Sequence, residues 1–305
     1  MMNIINQFRC YEEKLNKSEK SIDAYVKEVE LFIKNYNINS IEDLKVLEDT
    51  DFLTNIWLND MIKQYSIATV NKKKASLSVF SSYLLLQDII KENKIKQIES
   101  LKNDAVKTDI YSDDDIEKMI NYLDNKIKEN NFGRKVDLKV YKMQKCIIDL
   151  LITTGLRISE VVKIRISDFN LDESNIFMVR GKCYNDKVSR KNAFTEQVAE
   201  ELREYLEIRK EIKIAEGDEE YLFVSPLNHK HITEQTVRMF VKRMFKEIGI
   251  KGTLHEFRRT KGSNLVAKGI EIEKVAKFLG HQNSSTTERY YVKNVESVVE
   301  DLVNL

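Results

Sequence analysis

Proline is almost absent from this chain: Pro226 is the only one, and no glycine occurs before Gly133. The first part of the sequence therefore has little to interrupt helices. Cysteine is scarce as well. Cys10, Cys146 and Cys183 are odd in number and scattered, with no CxxC or Cys/His ligand spacing. That excludes a disulfide framework and a structural zinc site, and it suits a reducing compartment. No apolar run approaches the ~20 residues of a membrane span, and the opening MMNIINQFRCYEEK lacks the apolar stretch of a signal peptide. The expectation is a cytoplasmic protein with no membrane partner.

What is present suits a folded chain with room for two cores: 305 residues, 42% apolar and 32% charged. A net charge of +1 hides segregation. From Met1 to Asp60 twelve acids face seven basic residues, whereas from Met61 to Lys107 nine basic residues face four acids. Such a pattern can build a basic face on a nearly neutral protein, or it can simply mark solvated helix surfaces.

Ile22, Tyr25, Val26, Val29, Phe32 and Ile33 recur at helical spacing after a Ser18 or Ser21 cap. A second helix is expected from about Thr69 to Leu86, with Leu77, Phe80, Tyr83 and Leu84 on its apolar side. That start would put Lys72, Lys73 and Lys74 in the first turn, where the macrodipole disfavours cations. The three are either solvated lysines or a seat for a phosphate. The apolar period lapses over residues 101–108, read as a linker. Ser112 then caps a helix with Asp113, Asp114 and Asp115 in its first turn. A long apolar helix through Cys146, Ile147, Leu150 and Leu151 ends at Thr153-Thr154-Gly155, and another is expected from about Leu156. Segments 176–180 and 188–194 read as a β-hairpin around Gly181–Asp186. The remainder is expected to be helical, with Gly269 and Gly280 just past helix ends.

Several polar residues fall at these starts and turns. Arg157 and Glu160 stand three apart and share a helix face, as an ordinary ion pair or as a guanidinium held in position. His255 and Arg258 are also three apart at a helix start, and Gly280-His281 precedes Ser284–Tyr291. Two arginines, two histidines, a hairpin lysine and a tyrosine suit metal-free phosphoryl transfer. Arginine forks match two phosphate oxygens and stay charged at any working pH. They can therefore stabilise a pentacoordinate phosphorane by electrostatics and positioning. A tyrosine, whose pKa is ordinarily about 10, becomes a nucleophile with nearby cations and a histidine to manage the proton.

The blocks T-G-L-R-I-S-E, Gly181-Lys182, H-E-F-R-R-T and L-G-H-Q-N-S-S-T-T-E-R-Y, in this order, resemble the tyrosine recombinase (phage integrase) family, closest to its compact Xer-like and transposon-resolvase members. The resemblance runs from about Lys20 to Tyr291. It implies a mainly α fold with a small β-sheet: a helical core-binding domain over residues 1–100, a linker at 101–108, and a mixed α/β catalytic domain over 109–305 ending in an oligomerisation helix. It also implies roles. Arg157 and Arg258 clamp the phosphate, with Glu160 behind Arg157. Lys182 protonates the departing 5′ oxygen, His255 accepts and donates a proton, His281 hydrogen-bonds the phosphate, and Tyr290 attacks. Tyr291 lies about 100° away on a helix and cannot face the same phosphate. The hairpin departs from the family pattern, with Cys183 after the lysine and no proline near Asn192-Ala193, so Lys187 rivals Lys182.

The implied activity is site-specific recombination of double-stranded DNA through a 3′-phosphotyrosine, serving integration, excision or resolution, without cofactor or metal. The implied assembly is a homotetramer on two paired sites, monomeric or dimeric off DNA, with the protein at the nucleoid when bound. Val295, Val298, Val299, Leu302 and Leu305 form an apolar stripe for docking on a neighbour or on the chain's own domain. Two alternatives stay open: a catalytically silent DNA-binding regulator with this fold, and relaxation of the type IB topoisomerase kind.

Overall fold

The computed structural model describes residues 1–102, 109–130, 135–169, 171, 176–180 and 188–280. The chain divides into two compact units, Met1–Val106 and Lys107–Leu305. As the sequence suggests, the fold is mainly helical, with a small antiparallel sheet. Among the described residues no helix is long and apolar enough to cross a membrane.

The first unit is built from α1 (Met2–Lys14), α2 (Glu19–Asn35), α3 (Leu58–Gln64), α4 (Ile67–Leu86) and the short α5 (Lys94–Gln97). A 3-10 turn (Glu42–Glu48) and a π-helical turn (Phe52–Trp57) join α2 to α3. Ser18 is the cap of α2; its Oγ accepts the Ser21 N–H at 3.3 Å. Both apolar stripes face inward: Val29, Leu77, Phe80 and Leu84 are fully buried with Phe8, Leu44, Leu47 and Trp57. Phe8 meets Phe80 edge to face at 5.1 Å.

Helix α4 begins two residues earlier than the apolar spacing implies, because the Ser66 Oγ accepts the Thr69 N–H and caps it there. Lys72, Lys73 and Lys74 are thus its sixth to eighth residues, beyond the first turn, and the macrodipole argument for a phosphate seat among them lapses. Two of the three also have partners within the unit. Lys73 Nζ donates to both oxygens of Glu28, at 2.9 and 2.7 Å, and lies over the Tyr65 ring. Lys74 Nζ donates to the Ile98 carbonyl at 2.6 Å and the Ser100 hydroxyl at 3.1 Å, and burial lowers its pKa. Lys72 is exposed.

In the second unit α6 (Asp113–Asn130) opens on a reciprocal cap, the Ser112 Oγ taking the Asp115 N–H and the Asp115 carboxylate taking the Ser112 N–H, each at 3.1 Å. The apolar helix α7 (Lys135–Thr154) is the centre of this unit and packs against α6, α9 (Glu196–Lys210) and α11 (Leu254–Ala267). Its Ile147, Leu150 and Leu151 join Phe177, Tyr205, Phe223, Val237 and Phe257 in one core. After α7 comes a single helical turn, α8 (Ile158–Val161), shorter and later than the helix expected from Leu156. Strands β1 (Ile176–Arg180) and β2 (Val188–Ala193) pair antiparallel, Val179 opposite Arg190, with a bulge at Val179/Arg180.

One stretch corrects the sequence reading. Residues 211–233, between α9 and α10 (Glu234–Ile248), are not helical. They are held by Arg209, whose buried guanidinium donates to the carbonyls of Glu219, Tyr221 and Leu222. A side chain thus supplies the partners that a helix would have supplied internally. Gly249 and Gly280 adopt the left-handed conformation that closes α10 and α12 (Ile272–Leu279), and Gly269, at φ 80°, follows α11.

Candidate active site

The site is built where α7 ends. Thr154 donates its hydroxyl to the Leu150 carbonyl, and Gly155 turns the chain at φ +61°. A Cβ at 155 would also lie 2.9 Å from the Leu279 side chain and 3.1 Å from that of Lys261. Only glycine permits both the turn and this approach to α11 and α12. The turn leaves Arg157 in an extended conformation at the N-cap of α8, one position outside the helix rather than in its first turn.

Glu160 then does what its spacing suggests, and more. Its Oε2 accepts the Arg157 main-chain N–H at 2.8 Å, and its Oε1 accepts from Arg157 Nη1 at 3.0 Å. Although Glu160 is buried, its pKa is lowered: burial raises it, but the hydrogen bonds and charge of Arg190 and Arg157 outweigh that cost.

Arg190 is a member the sequence reading missed. It donates to Glu160 through Nη1 (2.9 Å) and Nη2 (3.0 Å), and to the Phe278 carbonyl through Nε (2.9 Å). The signal was present in the alternation of β2 and the residue after it, since Asn192 and Phe194 are buried and Arg190 shares their face.

Arg258 is buried on α11. It donates to the Gly155 carbonyl at 3.1 Å and to the Leu279 carbonyl. Arg157 Nη2 takes the next carbonyl, Gly280, at 3.0 Å. Arg190, Arg258 and Arg157 therefore donate in turn to the carbonyls of Phe278, Leu279 and Gly280, at the negative end of α12. The residue after them is His281.

His255 starts the exposed side of α11. Its pKa is lowered, first because surrounding protein partly desolvates the ring, then by the charges of Arg238, Arg259, Arg258 and Arg157. The imidazole is thereby held neutral and able to take a proton at neutral pH. The start of α11 is fixed by Tyr111, whose hydroxyl donates to the Thr253 carbonyl at 2.8 Å and whose main-chain N–H reaches the Thr260 hydroxyl at 2.8 Å. Gly252 admits that ring; a Cβ there would lie 2.6 Å from it.

Beside His255 a groove of about 580 Å³ is lined by Arg238, Lys242, Lys246 and Lys251 over Phe245 and Leu254. Arg238, Lys242 and Lys246 recur at every fourth position of α10, a basic stripe that the sequence displays and the sequence reading passed over.

Of the residues singled out in the sequence, Arg157, Glu160, Arg258 and His255 are brought together. Lys72, Lys73 and Lys74 belong to the other unit. Lys182, His281 and Tyr290, with Lys187 and Tyr291 as rivals, lie outside the described residues. What the described groups can do chemically is bind and stabilise a dianionic or pentacoordinate phosphate with fixed cations, beside a neutral base.

Comparison with known proteins bears on the same chemistry. The chain is similar to the TnP I resolvase of Bacillus thuringiensis, with 28% identity over 95% of each protein. It is likewise similar to the tyrosine recombinase XerC of Thermodesulfovibrio yellowstonii, with 28% identity over 94% of this chain and 91% of that protein. Its fold is shared with the Tn1549 transposon integrase in complex with transposon right end DNA (TM-score 0.72, 20% identity, 98% of this chain and 99% of that one). It is also shared with the XerH site-specific recombinase bound to palindromic difH substrate (TM-score 0.71, 18% identity, 99% and 94%). The sequence profile of the phage integrase family matches residues 110–297, more than half of the chain, and the protein belongs to that family, the tyrosine recombinases.

Proposed function

We propose that this protein is a site-specific recombinase that cuts and rejoins duplex DNA through a 3′-phosphotyrosine on Tyr290. The observation that carries the reading is the convergence of Arg157 and Arg258 on the Leu279–Gly280 carbonyls, with Glu160 holding Arg157 and a neutral His255 alongside.

Arg157 and Arg258 clamp the scissile phosphate, and His281 adds a hydrogen bond. The Tyr290 hydroxyl oxygen bonds to phosphorus as the bond to the 5′ oxygen breaks, with the phenolic proton passing to His255. Lys182 protonates the departing 5′ oxygen, and Lys187 is its rival for that step. The freed 5′ hydroxyl of one duplex then attacks the phosphotyrosine of its partner, so one ester replaces another and no nucleotide is consumed. The groove beside His255, with Arg238, Lys242 and Lys246 at its edge, supplies cations for the DNA backbone. Lys72 on α4 supplies another from the first unit, which acts as a core-binding domain. The working assembly is a homotetramer on two paired sites, monomeric or dimeric without DNA, acting in the cytoplasm at the nucleoid.

The test uses duplexes that the full chain selects from a randomised pool, nicked near the cleaved phosphate so that a covalent adduct is trapped. The wild type and Tyr291→Phe are expected to give adducts on denaturing gels, and Tyr290→Phe none. Adducts that persist in Tyr290→Phe and vanish in Tyr291→Phe contradict the assignment. Intact binding with no adduct from any form favours the silent regulator.

A further inference from the structure

Each strand of the hairpin carries one arginine that grips a buried carboxylate with two nitrogens, and the two pairs have different surroundings. On β1, Arg180 donates to Asp168 through Nη2 at 2.6 Å and Nε at 3.0 Å, and the second oxygen of Asp168 also caps the Arg165 N–H at 2.9 Å. On β2, Arg190 donates to both oxygens of Glu160, and those same oxygens hold the side chain and the main-chain N–H of Arg157. Arg190 then spends its remaining Nε on the Phe278 carbonyl at the end of α12. Its guanidinium also lies against Gly280, where an added Cβ would stand 2.7 Å from Nη1 and 2.9 Å from the central carbon. The side chains of Arg190 and Glu160 are 11% and 5% exposed, so water cannot take over either partner's role.

We propose that Arg190 is a positioning residue for phosphoryl transfer: through Glu160 it fixes the guanidinium of Arg157, and through Phe278 and Gly280 it fixes the chain segment that leads into His281. The proposal rests on the recombinase reading above. The described hydrogen bonds of Arg190 go to Glu160 and the Phe278 carbonyl, so its part is to set the geometry of other groups rather than to hold the phosphate. With Arg190 gone, Glu160 keeps only Arg157 as its cation among the contacts described. The buried carboxylate then draws Arg157 inward, away from the phosphate, or takes up a proton and releases it. Either outcome misplaces the clamp without removing any group from the reacting centre. A shift of about 1 Å in a clamping group costs on the order of a hundredfold in rate.

The proposal separates from a merely structural role by its pH signature. Arg190 provides the largest pull downward on the pKa of Glu160 against the push of burial. A carboxylate held low is ionised above its pKa and loses its function as pH falls through it. Without Arg190 that loss starts at higher pH, because a close opposite charge no longer favours the ionised form. Around Glu160 the charged groups facing it are Arg157 and Arg190. The Arg180–Asp168 pair holds the hairpin's other strand and contacts none of these groups among the described hydrogen bonds, which makes it the comparator.

The measurement is the single-turnover rate of adduct formation from pH 5 to 9, with duplex affinity taken in parallel. The substrate is a nicked duplex selected from a random pool by the wild-type chain. Arg190→Met is expected to bind that duplex as the wild type does, to react about a hundredfold more slowly, and to lose activity at higher pH on the acid side. Arg190→Lys should fall between. Arg180→Met should leave the acid limb where it was, and Arg190→Met combined with Glu160→Gln should abolish the shift. An acid limb and rate unchanged in Arg190→Met overturn the proposal, as do identical profiles for Arg190→Met and Arg180→Met. If Arg190→Met does not fold, Arg190→Lys decides: a limb in the wild-type position overturns it. A wild type that forms no adduct instead brings down the recombinase reading.

Discussion

Burying a carboxylate strips it of water, and at Glu160 four donors replace that water: two nitrogens of Arg190, one side-chain nitrogen of Arg157 and its main-chain N–H. Gly155 matters for a different reason, since its backbone lies in the left-handed region and its missing Cβ makes room for Leu279. Gly155→Ala is therefore expected to destabilise the second unit by at least about 1–2 kcal/mol, the cost of that conformation for an L-residue. Denaturant unfolding followed by circular dichroism checks it, and an unchanged midpoint would contradict it. The pairing of Arg157 with Glu160 was legible because both lie within one turn. The inward face of Arg190 was legible in the alternation of β2, but its partner was not, because Glu160 lies thirty residues earlier and only tertiary packing joins the two. Tyr111 and Gly252 were hidden for the same reason: a ring from the start of the unit packs at the start of α11.

Helix α4 shows how one misplaced cap alters a functional argument. The shift of its start from Thr69 to Ile67 moves three lysines out of the first turn, and packing then divides them. Lys73 neutralises a half-buried Glu28 while Lys72 faces solvent. Lys73→Ala is thus expected to lower thermal stability. Lys72→Ala should leave stability unchanged and reduce the salt slope of DNA binding by about one. Equal effects of the two on stability would contradict the division.

Where α7 meets α9, Lys145 lies among Asp124, Asp149 and Glu201, at 3.4, 3.2 and 3.1 Å. Asp149 is pushed up to about 8 from 3.8, chiefly by burial and then by Glu201, with Lys145 opposing. The folded state therefore holds a proton that the unfolded chain releases at lower pH, so this group's contribution to stability is lost as pH rises through that interval. Thermal melts should show Asp149→Asn losing less stability than the wild type between pH 5 and 8. A parallel decline in both would contradict the assignment. The helices themselves were largely legible, since caps and apolar periods are local. The stretch 211–233 was not, because Arg209 organises it from the preceding helix.

At the scale of the whole molecule, a formal charge of +1 conceals local concentrations of positive charge, in the arginines around Glu160 and in the stripe along α10. The two units each have a core of their own, and the family match covers residues 110–297. The tail beyond Lys293 carries the apolar stripe Val295, Val298, Val299, Leu302 and Leu305. If that stripe docks on a neighbouring subunit, its removal should weaken cooperative binding to paired sites in mobility-shift titrations while single-site affinity holds. Unchanged cooperativity would indicate docking within the chain.

The account stands or falls on a phenol oxygen attacking phosphorus among fixed cations. Digesting the trapped protein–DNA adduct, formed in EDTA, and mapping the modified peptide by mass spectrometry tests this directly. The account predicts a nucleotide 3′-phosphate on Tyr290; a modification on any other residue, or an adduct that requires a divalent metal, would contradict it.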